Sequence, residues 1–102
     1  MEQKMITQIK EIINNYFICK NQYALSRFSS GMEDYSNPYY LYIRDVELAL
    51  FSLNYDERNI VSNDFFYSCR SSWWKEQYQK KEYLQIKKDA VSKFVRNFYE
   101  IH

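Results

Sequence analysis

Residues 72–98 read SWWKEQYQKKEYLQIKKDAVSKFVRNF, and the way this stretch divides decides the fold. Tyr83, Ile86, Ala90, Phe94 and Phe98 recur at steps of three and four, which stacks them on one helical face. Lys81, Gln85 and Lys88 fall on the opposite face. The spacing predicts a helix over about 82–99, a turn at 79–81, and before it a short helix over 73–78 with Ser72 as N-cap. A short helix, a tight turn and a polar-faced second helix make a helix-turn-helix candidate.

Working outward, Met5, Ile9, Ile12, Tyr16, Cys19 and Tyr23 form a stripe at helical spacing, widened by Ile6, Ile13 and Phe17. They predict a long first helix over about 3–27, whose apolar face serves the core or a partner helix. The segment 29–38 (SSGMEDYSNP) holds the only Gly and the only Pro and reads as a loop. Asn37, preceding Pro38, is biased away from helical geometry. Ile43, Val46, Leu50 and Leu53, with Ala49 beside them, predict a second helix that stops at Asn54. A third, capped by Asp56, carries Ile60, Val61, Phe65 and Phe66. The fold expected is all-α, about five helices, with a C-terminal helix-turn-helix packed on a long N-terminal helix. One domain spans 1–102, its N-terminal helical part being 1–55 and its C-terminal part 56–102.

With 102 residues the chain is long enough for one core and too short for two ordinary domains. Net charge is +1, but unevenly spread. Residues 1–66 hold six basic against nine acidic side chains, a net −3, and residues 67–102 hold eight against four, a net +4. A basic end on a near-neutral chain is the footprint of polyanion binding, or equally a solvated helix face. No apolar run has transmembrane length and no signal-peptide block is present, so a cytoplasmic protein with reduced thiols and no membrane partner is expected.

Enzyme signatures are missing. The one His is His102, at the end of the sequence, where ordering is least expected. Cys19 and Cys69 lie fifty positions apart without metal-ligand spacing, and Cys69 beside Arg70 lacks a His partner. Asp56, Glu57 and Asp64 form no acid–base pair. Neither catalysis, nor a metal, nor a cofactor is predicted.

The polar face of the last helix carries the functional expectation. In a major groove its N-terminal residues reach base edges: Lys81 suits guanine acceptors, Gln85 adenine, and Glu82 the cytosine amino group or merely the helix start, with Lys88 a further base-contact candidate. Arg70, Lys75, Lys80 and Lys87 are the phosphate-contact candidates. Of the adjacent Trp73 and Trp74, some 100° apart on a helix, Trp74 is expected inside and Trp73 at the rim. There Trp73 meets DNA backbone, a protein partner or the third helix.

From Asp56 onward, DERNIVSNDFFYSCRSSWWKEQYQKKEYLQIKKDAVSKFV resembles the C-terminal helix-turn-helix of sigma-70 region 4-like proteins. Within that group it is similar to short phage-type transcription regulators of the ArpU kind and to small proteins of unassigned function from low-GC wall-less bacteria. The shared pattern is an acidic-Arg start, an aromatic third helix, a Trp pair, and a closing element matched here by Tyr83, Ile86, Lys87, Lys88, Ala90 and Phe94. The resemblance implies an all-α fold, binding to double-stranded DNA and contact with RNA polymerase, and leaves a homodimer open. Where such relatives place Ser or Thr at the start of the recognition helix, this chain has Lys81-Glu82. The alternative is a protein-interaction module, associated with polymerase or another partner, that never touches DNA.

Overall fold

A computed structural model describes residues 3–30, 36–67 and 69–102. Among them no strand occurs. The first helix, α1 (Gln3–Ser30), runs three residues beyond the expected end. Ile9, Ile12, Ile13 and Tyr16 are buried along it, with Met5, Cys19 and Tyr23 packed at the edge. Phe17 departs from the expected stripe and stays exposed.

The second helix, α2 (Pro38–Phe51), starts where its sequence says it should. Asn37 is extended, its side chain accepts the Tyr39 N–H at 2.8 Å, and Pro38 occupies the first helical position, where a missing N–H costs nothing. Ile43, Val46 and Ala49 face the core. The helix gives out at Ser52, and Asn54 has a different role from the expected stop. It caps α3 (Tyr55–Val61): its side chain accepts the Glu57 N–H at 2.9 Å while Glu57 accepts the Asn54 N–H at 3.0 Å. This reciprocal pair satisfies two end groups at once, which Asp56 cannot do from its place in the first turn.

Beyond Val61 the chain does not continue as an α-helix. Ser62–Phe66 forms a π turn closed by the Tyr67 N–H on the Ser62 carbonyl at 2.8 Å. The wider turn sends Phe66 against Tyr16, Phe17 and Phe94 while Phe65 lies under Lys87. The expected fourth helix is one 3-10 turn, Trp73–Glu76. The expected turn at 79–81 is already helical from its second residue, since α4 spans Lys80–Ile101 with Gln79 as its N-cap. Among the described residues, four α-helices, a π turn and a 3-10 turn therefore stand where periodicity predicts about five helices.

A single core joins Ile9, Ile12 and Ile13 of α1, Val46 and Ala49 of α2, Val61 of α3 and Ala90, Val91, Phe94, Val95 and Phe98 of α4. Polar ties fix the packing. Lys93 bridges to buried Glu57 at 2.8 Å, Asn97 donates to the Ser52 hydroxyl at 2.7 Å, and Tyr16 donates to Glu47 at 3.0 Å. His102, expected to be loose, is docked: Nδ1 lies 3.0 Å from buried Asp45, and the ring stacks on Phe98.

Candidate nucleic-acid interface

Tyr83, Ala90, Val91, Phe94, Val95 and Phe98 turn α4 inward and thereby decide what it shows to solvent. Lys81, Glu82, Leu84, Gln85 and Lys88 are all exposed. Lys81, Gln85 and Lys88 share one face over about 10 Å of axis. No ion pair involves Lys81 or Lys88 among the described residues. The Gln85 amide donates to Asp89 one turn on, at 3.2 and 3.3 Å. Gln79 makes no side-chain cap bond, so the first N–H groups of α4 are left for solvent or a ligand. Lys80 in the first turn, and Lys75 and Arg70 in the segment leading into it, are exposed.

Lys87 is placed otherwise. Its ammonium group lies 3.1 Å from the Asp64 carboxylate and 3.3 Å from the Tyr83 hydroxyl, over the rings of Phe65 and Tyr83. Its side chain is only 23% exposed. It belongs to the inner side of α4, one turn after Tyr83, and does not stand with Lys81 and Lys88.

Asp64, which sequence reasoning left without a role, organises this inner side. Besides Lys87 it accepts the Trp73 indole N–H at 2.7 Å and the Tyr83 hydroxyl. Burial, the bond to Asp64 and its negative charge together hold the Tyr83 phenol well above the usual tyrosine range. The signal that could have found this was the four-residue step from Tyr83 to Lys87 beside an Asp set among phenylalanines.

Trp73 and Trp74 both meet Tyr83, contrary to the expectation of separate environments. Trp74 lies parallel to its ring at 4.6 Å, and Trp73 meets it edge-on at 6.2 Å. Both are half-buried. Trp74 donates its indole N–H to the Ser71 carbonyl at 2.9 Å. The reason is the 3-10 turn, which places the two rings on a single inserted phenol. Trp73 thus packs on the continuation of α3, with its polar atom engaged.

Cys19 and Cys69 are free thiols, and no cluster of His, Cys, Asp and Glu with metal-ligand geometry occurs among the described residues. No described helix is long and apolar enough to cross a membrane. No family model, curated protein or solved structure matches the chain.

Proposed function

We propose that the chain is a small DNA-binding transcription regulator that reads double-stranded DNA with the outer face of α4. The observation that carries this reading is the joint exposure of Lys81, Gln85 and Lys88 on one face, with neither ammonium group in an ion pair among the described residues. Glu82 and Leu84 flank them, and an exposed Leu suits a thymine methyl. Arg70, Lys75 and Lys80 beside the uncapped start of α4 supply phosphate contacts, and Lys87 leaves that set. In helix-turn-helix terms, α3 with its π turn is the supporting element. It connects to α4 through a long segment containing the 3-10 turn, so the unit is a divergent form of the motif.

The test is a gel-shift salt titration on a random-sequence duplex pool. Lys81→Ala with Lys88→Ala should weaken binding and flatten log K against log salt by about one unit for each phosphate the variant no longer neutralises. Lys4→Ala, on the far helix, should leave both unchanged. Equal binding by the double variant and the parent would remove this face from consideration.

A second reading, a protein-interaction module contacting RNA polymerase or another partner, has its own support. Phe17, Leu50, Phe51 and Tyr67 line a groove of about 270 Å³ between α1, α2 and the π turn. Phe51 and Tyr67 are 64% and 63% exposed there. Nuclease-resistant recovery of polymerase subunits, abolished by Phe51→Ser and kept with the lysine variants, would favour it.

A further inference from the structure

A cleft lies on the other side of α4 from the face that carries Lys81, Gln85 and Lys88. It encloses about 480 Å³, within the range of small-molecule sites. Its walls come from α1 (Lys10), the π turn (Asp64, Phe65), the 3-10 turn (Trp74) and α4 (Tyr83, Lys87). Three features give it a chemical preference. First, Trp74 is stacked in parallel on buried Tyr83, which holds the indole rigid and leaves its outer face as an aromatic surface that need not be assembled on binding. Second, the Asp64 carboxylate is used up. It accepts from Trp73, Tyr83 and Lys87, and the Lys87 charge neutralises it. Third, Lys10 is exposed and has no ion pair among the described residues, so one positive charge is left over at the cleft.

We infer that this cleft binds a small planar aromatic monoanion, its ring against the Trp74 and Phe65 side chains and its carboxylate on Lys10. A dianion would exceed the single charge that Lys10 supplies, and a non-aromatic anion would leave the ring surface uncovered. The inference is independent of DNA binding.

The two tryptophans of the chain both sit at this place, so their indole N–H signals are direct reporters. The full-length protein is titrated with 1-naphthoate in ¹⁵N-correlated NMR, with 1-naphthalenemethanol and acetate as comparisons. Trp74→Phe assigns the two signals. A saturable shift of the Trp74 signal is expected with 1-naphthoate, with a dissociation constant on the order of millimolar or tighter, since a small ligand can gain only a limited amount per atom. Both comparison molecules should bind at least about fivefold more weakly. Lys10→Gln, on an exposed position that leaves the core intact, should weaken naphthoate by roughly tenfold, the usual loss for a charge-assisted hydrogen bond. Absence of a shift, equal binding of the neutral alcohol, or undiminished binding by Lys10→Gln would each overturn the assignment. So would shifts confined to the groove at Phe17, Phe51 and Tyr67.

Discussion

Tyr83 and Tyr16 show how burial and a bonded carboxylate together set the behaviour of a phenol. Tyr83 donates to Asp64 and Tyr16 donates to Glu47. Burial first, then the bonded carboxylate, raises both phenols above the ordinary value of about 10. Tyr42 and Tyr78 move the same way, chiefly through burial. The fold therefore holds the neutral phenol. The stability this contributes is complete below about pH 10. It is lost as pH climbs past the unfolded value, because the unfolded chain sheds protons that the native state keeps. Urea denaturation between pH 8 and 11 should show stability falling above about pH 10, by at most roughly 1.4 kcal/mol per pH unit per tyrosine. Tyr83→Phe should lose less stability over the same interval. A flat profile, or an unchanged slope in Tyr83→Phe, would refute the assignment of the proton to that site. At this scale sequence was partly legible. Lys81, Gln85 and Lys88 stand where the spacing put them. Lys87 is set apart from Lys88 in sequence only by its four-residue step from Tyr83, and the partner that fixes it, Asp64, lies twenty-three positions earlier on another element.

Helix ends were written in the sequence where a side chain bonds locally, and hidden where packing chooses the bonding pattern. Asn37-Pro38 starts α2 as its chemistry requires. Asn54 and Glu57 have the spacing of a capping box, and that signature outweighs the lone Asp56. The same logic gives a prediction. Asn54→Ala should cost about 1 kcal/mol in chemical denaturation, the usual value for losing an N-cap. Asp56→Ala should cost less, because the bond Asp56 makes is to the Tyr78 hydroxyl at the surface. The reverse order would mean that α3 is started by Asp56 after all. The π and 3-10 turns carry no comparable local mark. Phe65 and Phe66 are accommodated on different neighbours by widening one turn, and Trp73 and Trp74 share Tyr83 through tightening another. Both choices belong to packing against α1 and α4, which a linear reading does not see.

At the scale of the whole molecule, the acidic N-terminal and basic C-terminal portions of the sequence share one interior. The core residues of α4 lie in the same cluster as Ile9, Ile12, Ile13 and Tyr16 of α1 and Ile43, Val46, Ala49 and Leu53 around α2. Burying an aliphatic or aromatic side chain contributes about 1.5–3 kcal/mol. Losing this many partners exceeds the roughly 5–15 kcal/mol by which a small domain is stable. The division expected at residue 55 then separates no independent folding unit, because folding needs both sides. A fragment of residues 54–102, which keeps the Asn54 cap, should show reduced helix by far-UV circular dichroism and no cooperative thermal transition. Adding the peptide 1–53 should restore helix and a single transition, because α1 and α2 return the apolar surface that α3 and α4 need. The full chain should melt in one step by both backbone and tryptophan signals, since Trp73 and Trp74 are tied through Asp64 and Tyr83 to the same α4 that fills the core. A cooperative melt of the fragment alone would instead make 54–102 an autonomous unit, and the long first helix an appendage free to serve another partner.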